Sequence, residues 1–145
     1  MTHPYIRNRP PQRILITGDR DWNNDTTLAR VLKLHLQPER DFIIHGDARG
    51  ADRMGAYIAQ GLDVPKDRIL AYPADWNRYH KAAGPIRNQQ MLTEGKPTLV
   101  LAFHDHIQES KGTRDMIKRA LFAKLPVYLN GTRVLSLKPL PKITV

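Results

Sequence analysis

The sequence predicts an α/β domain in which helices cover both faces of a mainly parallel sheet. Short apolar runs alternate with segments of helical periodicity, and polar loops rich in glycine follow several of these runs. Right-handed crossovers between the strands then give a three-layer sandwich. We expect five parallel strands in the order 3-2-1-4-5, with a sixth, antiparallel strand at the edge beside the fifth.

The first two strands and the first helix come from the stretch before residue 45. The apolar run 13–17 leads directly into a polar loop, which is typical of a buried strand. Asn24 or Asp25 can cap the next helix, because apolar side chains then recur at helical spacing. The apolar positions of this pattern are Leu28, Val31 and Leu32, and His35 occupies the next one. Residues 41–44 form the second predicted strand.

The second helix begins near Gly50 and carries a narrow stripe of small and apolar side chains, suited to lying close on a sheet. The stripe consists of Ala51, Gly55, Ile58, Ala59 and Leu62. The run 68–72 predicts the third strand. We expect residues 74–84 to form an irregular loop that faces a ligand. A helix with Pro85 at its first position then continues over residues 86–92.

Residues 99–103 are the most apolar run of the chain and predict the fourth strand, at the centre of the sheet. The helix after Gly112 turns apolar side chains inward, namely Met116, Ile117, Ala120 and Leu121. Residues 127–129 predict the fifth strand. Asn130-Gly131 predicts a two-residue hairpin turn, since both positions tolerate positive φ. The antiparallel edge strand is therefore expected at residues 134–137.

Length and composition favour one domain. A chain of 145 residues, 41% hydrophobic, can bury a substantial core. We expect the domain at residues 13–137, flanked by a flexible basic tail at 1–12 and a tail at 138–145. No cysteine is present, which excludes disulfides, thiolate metal sites and a cysteine nucleophile. No signal peptide or membrane span is apparent, so a cytoplasmic protein without membrane contact is expected.

The net charge of +9 makes nucleic acid a candidate partner, because a basic surface attracts polyanions. Much of this excess belongs to the two ends of the chain. Five positive charges without an intervening acid lie there, namely Arg7, Arg9, Arg13, Lys138 and Lys142. Nucleic-acid binding through basic tails is therefore the least favoured of the functions considered.

The loops that follow the parallel strands predict a binding site. The carboxyl ends of such strands share one edge of the sheet, and ligands bind near the point where strand order reverses. Glycines permit close approach of a ligand to the backbone, helix N-termini attract anions, and arginine forks onto phosphate oxygens. The candidate ligand-binding residues are Gly18, Arg20, Gly46, Arg49, Gly50, Ala51, Asp52, Gly84, Pro85, Arg87, Asn88, Lys111, Gly112 and Thr113.

Several of these residues also have a purely structural interpretation. The glycines around Arg49 could only form a tight turn. Arg20 could pair with Asp47 or Asp52 and hold two loops together. Asn88 could bond a backbone carbonyl instead of a base or a ribose. Trp76 and Tyr79 could stack on a nucleobase or pack as local core, and these alternatives stay open at the level of sequence.

Other chemistries find little support. His104 and His106 are two imidazoles without a third clustered ligand, so no metal site is predicted. There is no Ser-His-Asp order, no GxxxxGK[ST] phosphate loop and no GxGxxG after the first strand. Ordinary NAD-dependent chemistry is therefore disfavoured, and no resident cofactor is expected.

Five motifs together resemble a known family. They are Ile14-Leu15-Ile16-Thr17-Gly18-Asp19-Arg20-Asp21-Trp22, His45-Gly46-Asp47-Ala48-Arg49-Gly50-Ala51-Asp52, Tyr72-Pro73-Ala74-Asp75-Trp76, Ala83-Gly84-Pro85-Ile86-Arg87-Asn88 and Gly112-Thr113. Over about residues 13–129 the chain resembles small SLOG-superfamily proteins related to YspA and YpsA, found in bacteria and phages. The resemblance implies a Rossmann-like fold that binds a nucleotide or a nucleotide-derived ligand, as a sensor or a sequestering module. It also suggests a homo-oligomer, since proteins of this fold often pair.

One departure bears on enzymatic activity. The phosphoribohydrolases of the superfamily carry a PGGxGTxxE signature whose glutamate acts at the glycosidic bond. Here Gly112-Thr113 is kept, but Met116 stands in the place of that glutamate. Asp115 is displaced by about 100° around the helix. An N-glycosidase is therefore the alternative function, with Asp52, Asp115 or Glu109 as the candidate catalytic carboxylate.

Overall fold

A single six-stranded sheet, in the order β3-β2-β1-β4-β5-β6, forms the centre of the computed structural model, which describes residues 9–138. The strands are β1 (Arg13–Gly18), β2 (Phe42–His45), β3 (Ile69–Ala71), β4 (Leu99–Phe103), β5 (Val127–Leu129) and β6 (Thr132–Val134). All neighbours are parallel except β5 and β6, which are antiparallel. The predicted α/β class, strand order and antiparallel edge are confirmed.

Helices cover both faces of this sheet. They are α1 (Asp25–His35), α2 (Ala51–Gly61), the short α3 (Trp76–Tyr79), α4 (Ala83–Thr93) and α5 (Gly112–Phe122). Side chains of α1 and α2 pack with Ile14 and Ile16 on one face. Side chains of α4 and α5 pack with Leu15 and Val100 on the other. The alternation of side chains along β1 thus supplies both layers of the core.

The start of α1 follows directly from its sequence. The Asn24 side chain accepts a hydrogen bond of 3.0 Å from the N–H of Thr27, so Asn24 is the cap. Leu28, Val31 and Leu32 are buried, as their spacing predicts. His35 lies against the ring of Tyr128, and burial lowers the pKa of its imidazole.

The segment predicted as an irregular loop is instead helical, and this prediction was wrong. α3 begins after Asp75, whose side chain accepts from the N–H of Arg78 at 3.1 Å. A 3₁₀ turn, His80–Ala82, leads into α4. Because α4 begins at Ala83, Pro85 is its third residue and not its first. Proline is tolerated there because N–H groups of the first turn have no intrahelical acceptor.

The edge strand was also misplaced. Asn130 and Gly131 adopt positive φ of 50° and 90°, as the hairpin requires. A two-residue turn pairs the residues that flank it, so Leu129 lies opposite Thr132 and the strand ends at Val134. The strand predicted at 134–137 therefore begins two residues too late. Smaller shifts occur at β2 and β3.

Residues 9–12, the end of the predicted N-terminal tail, contact the domain. The carboxylate of Asp41 is fully buried and accepts two hydrogen bonds from Arg9, at 2.9 and 3.1 Å. It also accepts from the N–H groups of Gln12 and Gln37, both at 2.8 Å. The other tail residues, 1–8 and 139–145, lie outside the described part of the chain. Between residues 9 and 138 no helix is long and apolar enough to cross a bilayer.

Candidate functional site

A cavity of about 660 Å³ lies at the carboxyl ends of the parallel strands. Its wall comes from the end of β1 and from the segments that follow β2, β3 and β4. It brings together many of the predicted ligand-binding residues: Gly18, Arg20, Arg49, Asp52, Gly84, Pro85, Arg87, Asn88, Lys111, Gly112 and Thr113. Loops far apart in sequence thus meet around one concave surface, as the parallel topology predicts.

Gly46, Gly50 and Ala51 belong to the predicted set but do not line the cavity. Gly50 has φ +80°, and a Cβ there would overlap the backbone of Asp19 and Arg20. The N–H of Ala51 donates to the carbonyl of Asp19 at 3.1 Å. The N–H of Ala51 is therefore bound by the loop after β1, whereas Ala48, Arg49 and Asp52 of the same corner line the cavity.

Other wall residues fell outside the predicted set. They are Thr17, Asp19, Asp21, Ala48, Trp76, Lys81, Met91, His104, Ser110 and Asp115, the last of which was predicted only as a catalytic candidate. Thr17, Asp19, Asp21, Ala48 and Ser110 directly adjoin predicted residues, and that adjacency is a signal that could have found them. Adjacency could not find Trp76, Lys81, Met91 and His104, because tertiary packing brings them to the wall.

Arg87 of α4 is anchored by the protein itself. Its Nη1 donates to the carbonyl of Gly46, and its Nε donates to Oδ1 of Asn88 at 3.1 Å. A Cβ at Gly46 would overlap the guanidinium, so this contact requires glycine there. Burial lowers the pKa of Arg87, and the neighbouring carboxyl of Asp52 opposes this shift. Arg87 is therefore a fixed cation in the wall.

Asp52, in the first turn of α2, is 4% exposed. Its Oδ2 accepts from the N–H groups of Gly46 at 3.0 Å and Ala48 at 3.4 Å. Burial raises the pKa of Asp52 to about 6, although Arg87 and the two backbone donors favour the charged form. A carboxyl group that titrates near neutral pH is suited to proton transfer.

Asn88 joins α4 to the start of α5. It is 3% exposed, and its Nδ2 donates to Asp115 Oδ2 at 3.0 Å and to the Gly112 carbonyl at 3.3 Å. The same oxygen of Asp115 accepts from Arg119 Nε at 2.8 Å. Asn88 thus bonds a backbone carbonyl, which is the structural role considered for it from the sequence. These hydrogen bonds hold the start of α5 beside Arg87.

The beginning of α5 is a helix N-terminus that faces the cavity. Lys111 occupies the capping position without a side-chain hydrogen bond to the helix, and Ser110 Oγ accepts from the Thr113 N–H at 3.1 Å. A Cβ at Gly112 would have no atom within 4 Å. An exposed lysine, an open glycine and a helix N-terminus form a surface that suits an anion.

Arg20 does not form the ion pairs with Asp47 or Asp52 that the sequence allowed. Asp47 pairs with Arg53 at 3.1 Å, and Asp52 is bound by backbone N–H groups. The guanidinium of Arg20 instead lies over the ring of Trp76, 5.3 Å from its centroid. The loops after β1 and β2 are linked by Arg49 and Asp21 at 3.2 Å, an exposed pair of small energetic value.

Two of the three candidate carboxylates line the cavity. Asp52 and Asp115 belong to its wall, whereas Glu109 lies in a 3₁₀ turn outside it. Met116, which the resemblance aligns with the glutamate of the phosphoribohydrolases, is fully buried in the core beneath α5. Met116 therefore serves packing, and a catalytic carboxylate would have to come from another position.

The two histidines form a local turn. His104 Nδ1 accepts from the N–H of His106 at 2.9 Å, and His104 Nε2 lies 4.0 Å from an oxygen of Asp19. In the part of the chain that the structure describes, no three histidine, aspartate or glutamate side chains form a group that could hold a metal ion.

Two comparisons with known proteins bear on this site. Residues 12–79 match the family model YAcAr, described as the YspA, cpYpsA-related SLOG family. The chain is also 36% identical, over 126 residues, to the gene 61 protein of Mycobacterium phage D29. That alignment covers 84% of this chain and 98% of the phage protein. No solved structure matches the chain.

Proposed function

Since the chain belongs to the YspA- and cpYpsA-related SLOG family, we propose that it binds a nucleotide or a nucleotide-derived ligand in the cavity at the strand ends. The observation that carries the proposal is the convergence of cations and one open helix N-terminus on a cavity of about 660 Å³. That volume lies within the usual range of ligand pockets. The protein would act as a sensor of this ligand or would sequester it.

The phosphate of such a ligand would be held mainly by mobile cations. Arg20, Lys81 and Lys111 line the cavity, and within residues 9–138 none of them has an acidic partner at ion-pair distance. Arg87 contributes positive charge from a fixed position, because two of its nitrogens are bound by the protein. A phosphate at Gly112 would also gain from the N-terminus of α5.

A ligand screen by thermal unfolding tests the proposal. We expect AMP, ADP-ribose or cyclic diadenylate to raise the melting temperature, since a ligand at 100 times its Kd adds about 2.7 kcal/mol of stability. If none of these raises it at millimolar concentration, the proposal is wrong. A shift caused only by an oligonucleotide, and lost steeply with added salt, would instead support the nucleic-acid alternative.

Replacing Lys111 by alanine is expected to weaken binding of the stabilising nucleotide about tenfold, because one charge-assisted contact to phosphate is lost. Lys118→Ala provides the matched control. It removes the same charge from the same helix, at an exposed position outside the cavity wall. Isothermal titration calorimetry should show Lys118→Ala close to wild type. Equal affinities for wild type and Lys111→Ala would remove the Lys111 side chain from the phosphate site.

A second function, cleavage of an N-glycosidic bond, is favoured by one observation, the raised pKa of Asp52 in the cavity wall. In this reaction water adds to the sugar carbon, the carbon–nitrogen bond breaks, and the base leaves with a proton. Asp52 would supply or accept that proton. Chromatography of the bound nucleotide after incubation should then show free base, and Asp52→Asn should release none. An intact nucleotide leaves binding as the function.

A further inference from the structure

Trp76 is the one large aromatic side chain that borders the cavity within the described residues. It is the first residue of α3, and its side chain is partly open to solvent, with 46% of the residue exposed. The other tryptophan, Trp22, is 7% exposed and packs on Phe103 with ring centroids 5.6 Å apart. Trp22 is therefore a core residue, whereas Trp76 has surface available to a ligand.

One face of Trp76 is reached by a planar cation. The guanidinium carbon of Arg20 lies 5.3 Å from the ring centroid. Such a contact is weak at an exposed site, so a ligand can displace it. Since no acidic side chain among the described residues pairs with Arg20, this arginine can move without breaking an ion pair. The ring face is thus available to a flat group.

The indole ring of Trp76 is also supported by neighbouring parts of the protein. The indole lies beside Gly84 of α4, where an added Cβ would come to 3.5 Å from Cη2, an ordinary van der Waals distance. Asp75 caps α3 and fixes the backbone that carries the indole. Tyr79, at the other end of this short helix, is outside the cavity wall and lies near Arg78 instead. Trp76 is therefore a supported aromatic surface in the same cavity as the cations.

We propose that Trp76 is the base-stacking wall of the cavity, so that the ligand class is restricted to compounds that carry an aromatic base together with phosphate. This inference rests on the proposed nucleotide-binding function. Stacking of a base on an aromatic side chain contributes about 1–3 kcal/mol, which corresponds to a factor of about 5 to 150 in affinity. A sugar phosphate without a base forgoes this contribution while keeping its phosphate contacts.

Calorimetric titration of the four nucleoside 5′-monophosphates and of ribose 5-phosphate tests this inference. For the nucleotide that binds best, Trp76→Ala should weaken binding at least fivefold, Trp76→Phe should restore most of the affinity, and Tyr79→Ala should leave it unchanged. Ribose 5-phosphate should bind weakly and equally to all four proteins. In a Trp22→Phe background, the nucleotide should quench the fluorescence of Trp76, and ribose 5-phosphate should not.

The outcomes separate the two proposals. A nucleotide that binds Trp76→Ala as tightly as wild type, or ribose 5-phosphate that binds as tightly as the nucleotide, would overturn the stacking role and leave nucleotide binding in place. Wild-type protein that binds none of the four nucleotides, and that neither ADP-ribose nor cyclic diadenylate stabilises, would overturn the proposed function together with this inference. Loss of affinity in Trp76→Ala without quenching in the single-tryptophan protein would show that Trp76 acts only by supporting the loop.

Discussion

Replacing Gly50 by alanine is expected to lower the free energy of unfolding by about 3 kcal/mol or more and to reduce ligand binding. Gly50 has φ +80° and ψ −128°, a region that side chains of L-residues avoid at a cost of about 1–3 kcal/mol. The added Cβ would also overlap the backbone of Asp19 and Arg20. Backbone atoms cannot rotate away, so the loop after β1, with Arg20, must move.

Urea denaturation of wild type and Gly50→Ala, followed by titration with the stabilising nucleotide, measures both effects. Gly61→Ala is the control on the same helix, because a Cβ at Gly61 would meet no atom within 4 Å. Alanine also favours helix over glycine by about 1 kcal/mol, so the control should match or exceed wild-type stability. A Gly50→Ala protein as stable as the control would show that the contact between the two loops is dispensable.

The strand order could be predicted because its signals are local. Each buried run, such as Leu99–Phe103, ends at a polar or glycine-containing loop, and alternation with helices restricts the topology to a parallel sheet. The prediction of an irregular loop after β3 was wrong for a physical reason. It is a chain of short helical turns set by the Asp75 cap and by positive φ at His80, and neither has a hydrophobic period. Periodicity could not detect these turns.

The site was predictable at the level of loops and not of contacts. Parallel strands bring their carboxyl ends to one edge, so Arg20, Asp52 and Lys111 could be placed around one cavity. The bond from Arg87 to the carbonyl of Gly46 joins residues 41 apart, and no local pattern encodes it. The close packing of Gly50 against the loop after β1 is likewise a tertiary contact. The glycine pattern therefore indicated that another group lies close to the backbone, but it could not show whether that group is a ligand or a part of the protein.

Asp52→Asn is expected to stabilise the protein by up to about 3 kcal/mol at pH 8 and to have little effect at pH 4. Burial raises the pKa of Asp52 from 3.8 to about 6 in the folded protein. The folded state therefore holds this proton more tightly than the unfolded state. The contribution of the protonated Asp52 carboxyl to the free energy of unfolding is fully present below pH 4 and is lost as pH rises through 6. The ionised carboxyl of the wild type therefore lowers the free energy of unfolding at pH 8.

Asparagine removes this charge and keeps an oxygen that accepts from the Gly46 N–H, which Asp52 Oδ2 binds at 3.0 Å. Urea denaturation of both proteins at pH 4 and pH 8 gives the difference directly. Asp67→Asn, at an exposed position in the turn before β3, should stay within about 0.5 kcal/mol of wild type. A gain in Asp52→Asn that is equal at both pH values would contradict the raised pKa. A gain confined to pH 8 would show that the chain keeps a costly buried carboxyl in its cavity wall, which favours a role for Asp52 in ligand chemistry over one in stability.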